Sequence, residues 1–285
     1  MNALLGGIAY IVLAPVLGGL IGGVDRIITA RMQGRYGPPV LQPFYDVLKL
    51  FEKENIMVNR FHSYYLVCYL VFLVTSGVMF FAGGDLLMVI FALTLADIML
   101  VTGAYSTNSP YSFVGATREL LQMLAAEPML LISAVCLYEA TNSFAVSDIV
   151  RSGRPLIVYL PGAFLGLVYV LTIKLRKSPF DLSTSHHAHQ ELVKGLTTEF
   201  AGPSLALVEI AHWYETVLLL GIVYLFFSFN PVAGVAAALL TYFAEVLIDN
   251  TNARFKWQLT LKSAWLVSAT FGGINLIVLS LLMRR

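Results

Sequence analysis

Charge is scarce in this sequence. Of its 285 residues, 12% are Asp, Glu, Lys or Arg, where soluble domains carry about 25%. A water-soluble fold is excluded, because its surface needs more ionised side chains than the chain contains. Cysteine is nearly absent: Cys68 and Cys136 sit singly inside apolar runs. An iron–sulfur cluster takes about four thiolates, and a structural zinc site needs a comparable set. Neither is expected in this chain, and both cysteines read as small buried hydrophobes. Internal repeats and low-complexity tracts are also missing, although secondary transporters often show paired repeats. The net charge of +1 says little, since the distribution of charge matters more than its sum.

What is present is apolar, 58% of the chain. Runs long enough to cross about 30 Å of hydrocarbon lie at 3–24, 64–82, 86–105, 119–140, 156–175, 203–228, 232–249 and 262–282. The sequence therefore predicts an all-α integral membrane protein with about eight transmembrane helices, forming a single transmembrane domain. The first run has no N-terminal Lys or Arg and exceeds a secretory h-region, so it reads as a retained anchor. With alternating connections, fourteen of the 18 basic residues fall in 25–63, 106–118, 174–202 and 250–262; the others are Arg151, Arg154, Arg284 and Arg285. The basic side is expected to be cytoplasmic, which puts both termini outside.

Two of the basic loops carry the distinctive residues. In the first, Gly37-Pro38-Pro39 makes a rigid turn. After Pro43, the residues Phe44, Val47, Leu48 and Phe51 follow helical spacing, which predicts a short amphipathic cytoplasmic helix at the membrane interface or under a partner. In the second, His186, His187 and His189 place three of the five histidines within four positions. Imidazole is a common metal ligand. The adjacent pair suits one ion poorly and no cysteine stands near, so a polar docking loop is read there and no metal site is assigned.

Carboxylates also occur inside the spans. Asp97, Glu127, Glu209, Glu215 and Glu245 lie within them, with Glu119, Glu139 and Asp249 near their ends. A charge at the centre of a span costs roughly 2.5–3.5 kcal/mol on insertion scales, which points to function or to tight pairing. Glu209, His212 and Glu215 succeed one another at one-turn spacing. One reading is a proton relay of Asp97, Glu119, Glu127, Glu199, Glu209, His212, Glu215 and Glu245, starting near Glu191 and Glu199. The other is a set of interhelical ion pairs, with Arg118 and Lys174 as candidate bases.

The combined motifs resemble the membrane-anchor subunit family of complex I and its hydrogenase relatives. Gly37-Pro38-Pro39-Val40-Leu41-Gln42-Pro43 with Asp46, Lys49, Lys53 and Glu54 resembles the family's first loop. Pro179-Phe180-Asp181-Leu182 with Glu191, Gly195, Glu199, Phe200 and Gly202 resembles its second. Gly103, Ser106, Tyr111, Gly115, Arg118, Gln122 and Glu127 match the start of its fourth helix. Ala253, Arg254, Lys262 and Trp265 match its last loop. The resemblance spans nearly the whole chain. The contracted Gly37-Pro38-Pro39 and the histidine-rich stretch after Leu182 are most similar to the membrane subunit of Ech-type energy-converting NiFe-hydrogenases.

That resemblance implies a non-catalytic coupling subunit in a prokaryotic cell membrane. It would link a peripheral electron-transfer arm to H⁺ or Na⁺ translocation. The chain itself would hold no cofactor. The NiFe centre and iron–sulfur clusters belong to cytoplasmic large and small subunits, with an antiporter-like membrane neighbour, ferredoxin as an indirect partner and no nucleic acid. Arg31, Arg35, Asp46, Lys49, Asp181, His189 and Glu191 would dock the arm. The alternative is the quinone-site subunit of a complex I-like NADH or ferredoxin dehydrogenase.

Overall fold

The computed structural model describes residues 3–54, 59–183 and 194–283, without the side chains of Arg60 and Met283. His186, His187, His189 and Glu191 lie outside the described residues.

Among the described residues, seven helices are long and apolar enough to cross a membrane. They are α1 (Ala3–Met32), α3 (Arg60–Phe81), α4 (Leu86–Tyr105), α5 (Pro110–Thr141), α9 (Pro203–Leu225), α10 (Pro231–Thr251) and a composite last helix. The composite joins α11 (Trp257–Val267) to α12 (Ile274–Met283) through a π-helical stretch, Ser268–Gly273. The amphipathic helix is α2 (Gln42–Glu52). Two short helices, α6 (Val146–Arg151) and α7 (Leu156–Tyr159), precede α8 (Pro161–Lys174).

The predicted span at 156–175 is present but broken. Its main piece, α8, has 14 residues, about 21 Å at the helical rise and short of the hydrocarbon thickness. Pro161 causes the break: it lacks an N–H and drives Leu160 out of helical geometry, to φ −123° and ψ 41°. Asn275 of α12 repairs the freed backbone. Its Oδ1 accepts from Ala163 N at 3.1 Å and its Nδ2 donates to Tyr159 O at 3.2 Å. In lipid such repair is obligatory.

Other boundaries shift for local reasons. Pro110 sits where a helix needs no N–H, so α5 starts there and absorbs most of the expected loop 106–118. The first helix continues beyond residue 24 to Met32 and carries Asp25, Arg26 and Arg31 on its last turns. In α2, Pro43 and Val47 are buried and Phe44 meets Trp213 of α9 with ring centroids 5.1 Å apart. Leu48 and Phe51, expected on the same face, stay exposed.

The connections sort to the two ends as the basic residues do. At one end, Leu86 N bonds Phe144 O and Ile157 N bonds Phe226 O, joining the connections after α3, α5 and α9. At the other end, Phe255 N bonds Pro179 O, and Gly202 lies against the Glu54 carbonyl. Within the bundle, helices meet at van der Waals distance where small residues allow it. A Cβ on Gly18 of α1 would fall 2.7 Å from the Trp213 Cα.

Candidate functional site

The site is built where α8 ends. Three bases occur in four residues, Lys174, Arg176 and Lys177. Arg176 has a left-handed backbone, φ 52°, so the chain turns sharply and aims the three side chains at different helices. Positive charge at a helix C-terminus is favoured by the helix dipole.

Lys174 Nζ lies 2.5 Å from Asp97 Oδ2 of α4, with side chains 6% and 2% exposed. Arg176 donates from Nε and Nη2 to Glu119 Oε1 of α5 at 3.0 and 2.7 Å. Its Nη1 stands 3.6 Å from Glu215 Oε2 and 2.8 Å from His212 Nδ1. A guanidinium only donates, so the imidazole accepts from it. His212 Nδ1 is also 3.3 Å from Glu215 Oε2, one turn along α9. Asp97, Glu119, Gln122 and Glu215 line an inner cavity of about 10 Å³ with Lys174 and Arg176, room for about one water. Each of those four keeps one buried oxygen with no partner among the described residues. The spare acceptors can take a water or a shared proton.

Outside this core lies a pocket of about 310 Å³ between α1, α2 and α9. Asp25, Arg26, Thr197, Glu209, His212, Trp213 and Glu215 are among its lining residues.

A second network hangs from Lys177. Its Nζ is 2.7 Å from Asp25 Oδ2 of α1 and 3.7 Å from Asp249 Oδ2 of α10. Tyr242 donates to Asp25 Oδ2 at 3.0 Å, and Ser178 N donates to Asp249 Oδ1 at 2.9 Å. Beyond, Arg254 pairs with Asp181, and Gln122 Nε2 donates to Phe180 O at 2.6 Å.

The sequence-derived relay residues divide accordingly. Asp97, Glu119, His212 and Glu215 come together. Glu127 is half-buried and within electrostatic reach of Lys174. Glu209 stands at the outer pocket. Glu245 is fully buried and senses Lys177 and Asp249. It belongs with the second network. Glu199 is half-buried after the turn Gly195–Thr197.

Among the docking residues, Arg31, Arg35 and Lys49 are exposed. Asp46 is tied to Arg26 of α1 at 2.6 Å. Burial pushes its carboxyl up, but hydrogen bonds from Arg26 and Gln42 and the charges of Arg26 and Lys49 outweigh that and hold it below the usual range. Sequence reasoning missed Arg176, Lys177, Asp25 and Tyr242 as network members. Three bases packed against the end of an apolar run were the available signal.

A family model described as NADH dehydrogenase matches residues 5–280. The chain belongs to that family. Within it, the chain is 29% identical to hydrogenase-4 component C of Escherichia coli, over 91% of this chain and 90% of the relative. It is 25% identical to formate hydrogenlyase subunit 4 of Escherichia coli, over 92% and 94% of the two chains. A subunit of the NADH-quinone oxidoreductase of Anoxybacillus flavithermus is 30% identical over 73% of this chain and 67% of its own. A chain in the solved structure of the membrane-bound sulfane sulfur reductase, an archaeal respiratory membrane complex, superposes with TM-score 0.84. That match has 26% identity and covers 98% of this chain and all of the other. The chain is a multi-pass membrane protein of the complex I membrane-subunit type.

Proposed function

We propose that this chain is the membrane-anchor and coupling subunit of a complex I-like hydrogenase or reductase complex, in particular an energy-converting, ferredoxin-dependent NiFe-hydrogenase. The similarity to hydrogenase-4 component C and formate hydrogenlyase subunit 4 supports that branch. Its partners would be cytoplasmic hydrogenase large and small subunits, which hold the NiFe centre and iron–sulfur clusters, and an antiporter-like membrane subunit. The basic end faces the cytoplasm and both termini face outward.

One observation carries the coupling role: a buried network of three carboxylates and two bases joins an inner cavity to an outer pocket at the basic end. Asp97, Glu119 and Glu215 outnumber Lys174 and Arg176 by one charge. Neighbouring carboxylates cannot all stay ionised without compensation, so the set has one proton to exchange. His212 takes it from the outer pocket and passes it to Glu215, one turn away, once Arg176 releases the His212 Nδ1 to which it now donates. From there it is shared with Asp97 and Glu119. Redox-linked movement of the cytoplasmic loops shifts the bases and biases that sharing. No bond chemistry occurs in this chain.

The test is Glu→Gln replacement at Glu119 and Glu215, which keeps shape and removes titration. In vesicles holding the whole complex, the ion gradient driven by hydrogen evolution should fall. A gradient at the wild-type level in both variants overturns the relay.

A second reading is a quinone-site subunit, favoured by the outer pocket's volume and the likeness to the NADH-quinone oxidoreductase chain of Anoxybacillus flavithermus. Seven of the pocket's lining residues are ionisable, which suits an isoprenoid quinone poorly. Quinone co-purifying in stoichiometric amount would favour it.

A further inference from the structure

The outer pocket and the inner cavity meet at a thin partition. Only Lys174, Arg176 and Glu215 line both among the described residues. Lys174 is committed inward to Asp97, and Glu215 is fixed on α9. Arg176 alone stands on a turn and has partners on both sides. His212 lines the outer pocket but not the inner cavity, and Glu119 lines the inner cavity but not the outer pocket. We propose that Arg176 is a gate between the two compartments, closed as it stands and opened when the Lys174–Asp181 segment moves. The proposal rests on the relay reading and assigns its control point.

Three features support the gate. The guanidinium lies across the direct way from His212 to Glu119, bonded to both ends. Its backbone is left-handed at φ 52°, a conformation disfavoured for a residue with a Cβ. The side-chain bonds offset that strain, so their release lets the turn relax away from the path. The same segment is held by groups nearer the basic end, where a partner would act. Ser178 N bonds Asp249, Pro179 O accepts from Phe255 N, and Asp181 pairs with Arg254. Displacing any of these pulls on Arg176 within a few residues. What passes when the gate opens is a proton carried on water.

The experiment reads access to the inner cavity directly. In the purified complex, with Cys68→Ala and Cys136→Ala removing native thiols, Met123→Cys places one thiol in the cavity wall. Methyl methanethiosulfonate labelling is followed by mass spectrometry of the peptide. At rest, with Arg176 intact, position 123 should be protected. Adding Arg176→Ala should raise the rate on the order of a hundredfold, the factor expected from removing a buried ion pair. Redox turnover should raise it with Arg176 intact. Ala134→Cys, buried elsewhere on α5, reports general loosening and should stay protected in the Arg176→Ala background. Three results each overturn the gate: labelling at rest with Arg176 intact, protection that survives Arg176→Ala or turnover, or labelling of Ala134→Cys alongside position 123. The relay reading fails on a different observable, undiminished pumping by the Glu→Gln variants.

Discussion

Lys174 and Asp97 offer the sharpest energetic test of the buried network. Their charged atoms are 2.5 Å apart, and the side chains are 6% and 2% exposed. Replacing Lys174 with Met keeps most of the stem and deletes the charge. Asp97 is then left in the core with neither oxygen partnered, since its Oδ1 has no partner among the described residues even in the intact pair. Breaking a buried pair from one side costs about 3–5 kcal/mol. Removing both charges, Lys174→Met with Asp97→Leu, should cost far less, because no buried charge is left uncompensated. The contrast between the single and double variants is the diagnostic feature. Unfolding of the detergent-solubilised complex, followed by the loss of α4 and α5 amide protection, measures all of the variants. If both single variants stay within about 1 kcal/mol of wild type, the pair behaves as a solvated surface bridge. The inner cavity would then be open to water, and the electrostatic basis of the relay would be lost.

Three further outcomes follow from the same geometry. Gly18→Val drives a side chain into the Trp213 backbone and should destabilise the α1–α9 contact by at least about 1–3 kcal/mol, seen as lost assembly on native gels. Asn275→Leu strands the Ala163 N–H and the Tyr159 carbonyl and should lower stability by about 1–3 kcal/mol for each unpaired group, read by thermal unfolding; an unchanged midpoint would show that other groups make the repair. The Asp46 carboxyl is held below its ordinary value by Arg26 and Gln42, against burial. Its contribution to seating α2 is therefore complete above the unfolded value of about 3.9 and is lost as pH falls through the lower folded value. Hydrogen exchange in α2 should rise over that acid window in the wild type and be insensitive to it in Asp46→Asn.

The membrane class and the rough positions of the spans were legible because lipid imposes a simple rule: about twenty apolar residues per crossing. Where that rule met local backbone chemistry, the sequence reading slipped. Pro161 divides one apolar run in two, yet hydropathy cannot sense a missing N–H. Pro110 extends α5 into a stretch read as loop, because helix starts favour proline whatever the polarity. The amphipathic helix was legible, but not its buried face: Phe44 and Val47 face the bundle, while Leu48 and Phe51 do not. For the site, acids inside spans stood out by their cost. Of their partners, Lys174 was legible as a candidate base and pairs with Asp97, whereas Arg176 and Lys177 were not, because they lie just past the end of an apolar run and read as ordinary loop charges. Only a three-dimensional turn at Arg176 sends them inward.

That turn also explains why the carboxylates form two groups instead of one line. A helix end presents its last side chains around a circle, and the left-handed step at Arg176 widens their spread. Lys174 and Arg176 face α4, α5 and α9, whereas Lys177 faces α1 and α10. Glu245 therefore senses Lys177 and Asp249, while Glu215 senses Arg176. The two groups share no carboxylate, yet their bases are neighbours on one short segment. A displacement of a few ångströms in that segment changes the field at both groups together, with no continuous chain of acids between them. Field changes of this kind fall off slowly in a low-dielectric interior. The segment joining α8 to the basic loops can thus act on the inner cavity and on Glu245 in the same step.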